Sequence, residues 1–567
     1  MNFRYLITIS ALLALPFFSI AQKSLKEVPK GWHLMDIKED GVYGIGVEKA
    51  YSTLLKDKKP KQEVIVAIID SGIDTAHEDL KPVLWRNPKE IPGNGIDDDK
   101  NGFTDDIHGW NFLGNKDGRN VGKDSDEAGR MYYRYKSRFD NFSDTASLNP
   151  EEREQYRMYM RAKNQIETNG KEGSLNVMVM KPIIERAPYA DSIIRTSWKK
   201  EVYTGDELLT YKPVNMEQNR AKSLMLGLFQ SMEEGEYTNK KIFKVLFDYY
   251  DREKSKMDIM EKPPVDYRNS VVGDNYDDVN DRFYGNNDLM ASDPEHGTHV
   301  AGIIGAVRNN GVGVNGVANH VRLMILRAVP DGDEHDKDVA NAIRYAAENG
   351  AKVINMSFGK GFSPNKKWVD DAVLFAESKG VLMVHAAGNE STNLDSAENY
   401  PNPIIASANK KSPNWITVGA SGPTDSKLVP YFSNYSAREV DVFAPGADIY
   451  SAAPGGNQYQ NLDGTSMASP VVAGLAATIM AYYPELTATQ VKTAIEKSVS
   501  PLEIGVPKPS RSGESADTLR FSSMSKAGGV INAYEAIRIA DALSKSKSIP
   551  EPKEQLPKST IKKTSKG

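Results

Sequence analysis

The chain has 567 residues, enough for one large domain with additions or for two or three, and its 40% apolar and 26% charged content is that of an ordinary globular protein. A net charge of -5 over so long a chain supplies no concentrated basic face, which excludes nucleic acid as an electrostatic partner. With no cysteines, disulfides, a thiol nucleophile and a cysteine-linked lipid anchor are excluded, and rigidity must come from a large core or bound metal.

In chain order, Met1-Asn2-Phe3-Arg4 gives a short basic start, an apolar run follows to Ile20, and Ser19-Ile20-Ala21 places small residues where a signal peptidase cuts. Residues 1–21 read as a signal peptide, with an uncleaved anchor as the alternative, and the chain as exported to a periplasmic or extracellular compartment. No later stretch reads as apolar enough to span a bilayer. Val64-Ile65-Val66-Ala67-Ile68-Ile69 is a continuous β-branched run ending at Asp70, the pattern of a strand buried on both faces of a parallel sheet. Similar runs recur at Val353–Met356, Val381–Val384 and Trp415–Val418. Helical patterns lie between them, over Val339–Ala347 before Asn349-Gly350 and over Lys367–Ser378 before Gly380. This alternation predicts an α/β fold with a doubly wound, mostly parallel sheet.

The stretch from 115 to 262 breaks the rhythm. It is polar and rich in Met, Tyr, Lys and Glu, with a helix predicted over Glu151–Lys163 and another whose face carries Ile242, Val245, Leu246, Tyr249 and Tyr250. We read it as a helical insertion between two parts of one domain, 22–114 and 263–544. The Lys-, Ser- and Pro-rich residues 545–567 read as a disordered tail.

Three segments carry candidate chemistry. Asp70 ends a strand, where catalytic groups of open α/β sheets gather. His296, in His296-Gly297-Thr298-His299-Val300-Ala301-Gly302, begins a predicted helix that buries Val300, Ile303 and Ile304, with Ser292 and Asp293 as candidate caps. Two histidines three apart on a helix also suit a metal, although no third ligand stands at a recognised spacing. Ser466, in Gly464-Thr465-Ser466-Met467-Ala468-Ser469-Pro470, stands at the start of a small, apolar helix, where free N–H groups favour negative charge. Each residue alone has a plainer role as a cap or turn.

Taken together, in the order Asp, His, Ser, the three segments resemble the subtilisin-like serine peptidases, the subtilases. The resemblance implies a serine endopeptidase acting on polypeptides, with Asp70 orienting His296, His296 rather than His299 as the base, and Ser466 as nucleophile. Ala386-Ala387-Gly388-Asn389-Glu390 resembles the family's oxyanion segment, which makes Asn389 the side-chain donor. Met356-Ser357-Phe358-Gly359 resembles the edge that pairs with substrate, giving Ser357, Phe358 and Gly359 a binding role. A monomer is expected. Two departures stand out. First, 226 residues separate Asp70 from His296, so the insertion falls on the active face, where it would line extended subsites, cover the cleft or pack at its side. Second, the stretch between Gln22 and Val64 is too short for the folded prosegment many subtilases carry, which suggests that the insertion assists folding or masks the site.

A structural Ca2+ is the expected cofactor. Asp97, Asp99 and Asn101 alternate, Gly102 supplies a turn, and Asp105 follows, as in the first part of a helix–loop–helix calcium loop. The Glu twelve positions into such a loop is replaced by His108, with Asp106 as the substitute carboxylate. Asp274–Asp281 is a weaker second acidic stretch. Two other readings of the chain are a metallohydrolase built on His296 and His299 and an inactive binding scaffold.

Overall fold

A computed structural model describes residues 28–231, 237–511 and 515–545; the segment read as a signal peptide and all but the first residue of the tail lie outside them. Its centre is a seven-stranded sheet of β1 (Val64–Asp70), β2 (Gly109–Asn111), β3 (Val321–Arg327), β4 (Val353–Met356), β5 (Leu382–Ala386), β6 (Trp415–Ser421) and β7 (Val442–Pro445). The order is β2-β3-β1-β4-β5-β6-β7, and every pair is parallel. The runs read as strands therefore form the middle of the sheet. The sequence reading passed over β3, where Arg322 and Arg327 interrupt the apolar pattern, and the three- and four-residue edge strands β2 and β7, which are too short to show a period.

Alternation along β1 explains the two covered faces. Val66 and Ile68 point into one core and Ala67 and Ile69 into the other. The first core holds helices α5 (Glu295–Gly305), α8 (Thr465–Tyr482), α9 (Ala488–Lys497) and α10 (Ala533–Ser544); the second holds α6 (Asp336–Glu348) and α7 (Lys366–Ser378). Chain order reverses between β1 and β4, and the carboxyl ends of β1, β4 and β5 lie side by side at that point. Among the described residues, α8 is the one helix long and apolar enough to cross a membrane. It is the central helix of the first core, 94% buried within the protein.

Between β2 and α5 the chain forms α1 (Glu127–Phe139), α2 (Pro150–Trp198), α3 (Met216–Gln230) and α4 (Asn239–Asp258). Asn149 caps α2 in a reciprocal box with Glu152, and the helix runs on for 49 residues, past Pro182 and Pro188, far beyond the predicted end at Lys163. At 1.5 Å per residue it is about 73 Å long, so one end lies against the sheet domain while the other supports a separate small core. That core gathers Ala187, Ile194, Tyr203, Met225, Ile242 and Leu246. Val245 is 38% exposed, and Tyr249 and Tyr250 are only half-buried, so the predicted apolar face of α4 is narrower than its sequence suggested. The chain re-enters the sheet domain through Arg268, which is buried between Asp338 and Asp274.

Candidate active site

Asp70 is the last residue of β1 and is 2% exposed. Its Oδ1 accepts from the Ser71 amide at 2.8 Å and from His296 Nδ1 at 2.7 Å. Residues 226 apart thus meet because α5 crosses the loop that follows β1. The crossing needs Gly297: a Cβ there would lie 2.1 Å from the Gly72 carbonyl. A carboxylate acceptor at Nδ1 places the proton on that nitrogen and leaves Nε2 with its lone pair. Burial pulls the His296 pKa down, but the Asp70 charge and hydrogen bond, helped by Glu295, outweigh it and hold the imidazole above its ordinary 6.5. His299, one turn on, points elsewhere. It is fully buried, its Nε2 meets the Gln460 carbonyl at 3.1 Å, and burial lowers its pKa to about 4. The two imidazoles face different partners, so the structure offers no shared metal site for them.

Ser466 is the second residue of α8. Its hydroxyl donates to the Ser357 carbonyl at 2.9 Å rather than to His296. The same two residues are joined a second time, Ser357 Oγ donating to the Ser466 carbonyl at 2.9 Å. Asn355 and Ser469 extend this buried chain, locking the end of β4 to the start of α8.

Asn389 Oδ1 accepts from both the amide and the hydroxyl of Thr465 at 2.9 Å, which turns its Nδ2 outward. A methyl group on Gly464 would lie 3.5 Å from Asn389 Nδ2 and 3.5 Å from the Ser466 amide nitrogen. Two nitrogen donors, Asn389 Nδ2 and the Ser466 amide, therefore lie near one point beside Ser466. Beyond it runs Ser357-Phe358-Gly359. The Phe358 carbonyl accepts from His385 at 2.8 Å, while the Gly359 N–H and carbonyl have no hydrogen-bond partner among the described residues. A cleft of about 460 Å³ opens here, walled by Asp70, His296, Ser357, Phe358, Arg327 and Leu462.

Arg327 escaped the sequence reading. It ends β3, is 1% exposed, and binds only neutral acceptors, among them the Ser71 carbonyl at 3.0 Å and Asn111 Oδ1 at 3.0 Å. Burial lowers its pKa to about 10, so it stays charged at neutral pH and fixes the loop after Asp70. A charge closing an apolar strand run was the available signal.

The acidic loop differs from its expected form. One carboxylate oxygen each of Glu90, Asp97 and Asp99 lie within 4.8 Å of one another. Glu90, seven residues before the run, was not anticipated. Asp105 does not join, because at φ 54° its oxygens turn to the amides of Gly93, Asn94 and Gly95. Asn101 Oδ1 accepts from the Phe103 amide, and its Nδ2 donates to Asp106. Asp106 is buried, which raises its pKa to about 6, and it also accepts from Tyr345 and Asn87. Asp274, of the weaker acidic stretch, pairs with Arg268 and Lys337 and so serves an ion cluster.

The fold defines a class, the doubly wound, mostly parallel α/β proteins. The chain belongs to the Subtilase family, whose model matches residues 61–516. It is 34% identical to Thermitase of Thermoactinomyces vulgaris, over 47% of this chain and 85% of that protein. It is 38% identical to Subtilisin DY of Bacillus licheniformis, over 36% of this chain and 71% of that protein. It is 43% identical to the Thermophilic serine proteinase of Bacillus sp. (strain AK1), but over only 32% of this chain and 42% of that one. Membership makes this protein a serine-type endopeptidase with polypeptide substrates.

Proposed function

We propose that this protein cleaves peptide bonds through Ser466, with His296 as general base and then acid, Asp70 orienting His296, and Asn389 Nδ2 with the Ser466 amide holding the oxyanion. The observation that carries this reading is that the hydrogen-bonded pair Asp70–His296 shares a cleft with Ser357, whose carbonyl accepts from the Ser466 hydroxyl, while Asn389 Nδ2 and the Ser466 amide lie near one point beside Gly464. A polypeptide lies along Ser357–Gly359, its N–H and carbonyl groups completing the unpaired edge at Gly359. A substrate N–H that claims the Ser357 carbonyl displaces the Ser466 hydroxyl from it. The hydroxyl then turns to His296 Nε2, which takes its proton as the oxygen attacks the scissile carbonyl. The oxyanion charge falls between Asn389 and the α8 N-terminus, and His296 passes the proton to the leaving amine as the C–N bond breaks; water, deprotonated by His296, then cleaves the Ser466 ester, releasing the acid and returning the proton to the serine oxygen. Profiling cleavage of a peptide library by the purified protein and by Ser466→Ala tests this, and equal activity in both would end it.

The remaining readings rest on less. Three carboxylates within 4.8 Å, with Lys89 Nζ 3.9 Å from Asp99, form a donor set suited to a hard divalent cation. Glu90, Asp97 and Asp99 would hold a structural Ca2+ that ties down the loop after residue 89, in place of the predicted set that included Asn101 and Asp105. Export rests on residues 1–21, the division at 115 and 262 on the change of composition and packing there, and the exclusion of nucleic-acid partners on the weak net charge.

A further inference from the structure

The helices between β2 and α5 meet the substrate-receiving segments at two points. At the first, the ammonium of Lys360, the residue after Gly359, is buried with Glu127 Oε2 at 2.8 Å, Asp336 Oδ1 at 2.9 Å and the Glu334 carbonyl at 2.7 Å. Glu127 is the first residue of α1. At the second, Arg161 of α2 donates to the Glu398 carboxylate through Nη1 and to the Gly361 carbonyl through Nη2, at 3.1 Å for the latter. Its guanidinium also lies 4.7 Å over the Phe362 ring, and Arg157 supports Glu398 at 2.8 Å.

Gly361 and Glu398 belong to two facing segments. Lys360 and Tyr400 exchange two backbone hydrogen bonds of 2.9 Å, and a Cβ on Gly359 would lie 2.7 Å from Asn399 Oδ1. The Asn399 side chain reaches across to the Ala387 carbonyl at 3.0 Å, two residues before Asn389. One planar guanidinium therefore links the segment that pairs with substrate to the segment that closes the space behind it. A fork with two acceptors on different segments fixes a distance, which a single flexible ammonium does not.

We propose that Arg161 is a positioning residue, and that the inserted helices brace the substrate cleft by fixing the separation of Phe358–Gly361 from Glu398–Tyr400. The proposal rests on the serine-peptidase reading above. The brace touches no reacting atom, so its loss acts on how an extended chain is held and spares the triad.

The test compares the full-length protein with Arg161→Ala, Arg161→Lys and Glu398→Gln. The readouts are kcat and KM on an extended quenched-fluorescent peptide, the labelling rate of Ser466 by phenylmethanesulfonyl fluoride, and thermal melting. Arg161→Ala should raise KM about tenfold with kcat within about twofold, and leave the labelling rate unchanged. Glu398→Gln should behave alike, and Arg161→Lys should recover only part of the KM, since it keeps the charge but not the fork. An unchanged KM in Arg161→Ala overturns the proposal. So does a labelling rate that falls in step with peptide cleavage, since that marks general loss of structure. A parent protein that neither labels at Ser466 nor cleaves the peptide overturns the peptidase reading as well.

Discussion

The sheet domain and the inserted helices are held together differently. In the sheet domain, buried strands and their flanking helices, the apolar α8 among them, form two continuous cores. The inserted helices have a small core of their own at the far end of α2. Where they meet the sheet domain, ion pairs join Glu127 to Lys360, Arg161 to Glu398 and Arg268 to Asp338, beside an apolar contact of Phe362 with Ala128, Met131, Met158 and Ala162. The sheet domain thus rests on two continuous apolar cores, while the inserted helices join it through ion pairs and one small apolar contact. Of these pairs Arg268–Asp338 is fully buried, while Arg161 and Glu398 are both partly exposed.

The largest effect that would sharpen this contrast lies at the nucleophile. Ser466→Ala should lower kcat by about 10⁶-fold, the scale known for the same change in the relative subtilisin, with an unchanged melting profile. Asn389→Ala should cost about 10²–10³-fold in kcat with little change in KM, again the scale seen in subtilisin. A pair of cavity mutations separates the two cores. Leu475→Ala, fully buried in α8, should destabilise the sheet domain by about 2–5 kcal/mol and abolish Ser466 labelling at a lower temperature. Leu246→Ala, in the distal core, should loosen the inserted helices to protease while labelling persists. A single shared transition in both variants would erase the distinction.

Calcium should have a smaller effect. At a hundredfold excess over its dissociation constant, bound Ca2+ adds about 2.7 kcal/mol, seen as a rise in melting temperature that EDTA reverses and that Glu90→Gln or Asp97→Asn removes. The smallest effect is in the pH profile. His296 must be neutral to act as base, and Asp70 holds its pKa above 6.5, so activity should fall with acidification around a midpoint above that value. In Asp70→Asn the residual activity should show a lower midpoint, because burial then acts without the compensating charge.

Much of the sheet domain was legible because its strands are buried on both faces and read as unbroken apolar runs. The short edges β2 and β7 carry too few residues to show a pattern, and the arginines of β3 hid it. The candidates Asp70, His296, Ser466 and Asn389 rest on local motifs. The contact of Asp70 with His296 could not be read from spacing, since it depends on α5 crossing Gly72 across the insertion. The acidic loop was half legible: alternation found Asp97 and Asp99, but a left-handed turn redirected Asp105 and a chain reversal brought in Glu90. The inserted helices were legible as helices only. Part of what they touch is decided by single long side chains such as Arg161, which leave no periodic trace, beside the apolar pairs Ala128/Met131 and Met158/Ala162 that meet Phe362.

The most direct test of the account is the site of covalent modification. Phenylmethanesulfonyl fluoride followed by peptide mass spectrometry should place one sulfonyl group on Ser466, with labelling lost in Ser466→Ala and slowed in His296→Ala. Modification at another serine, or cleavage that persists in Ser466→Ala, would contradict it.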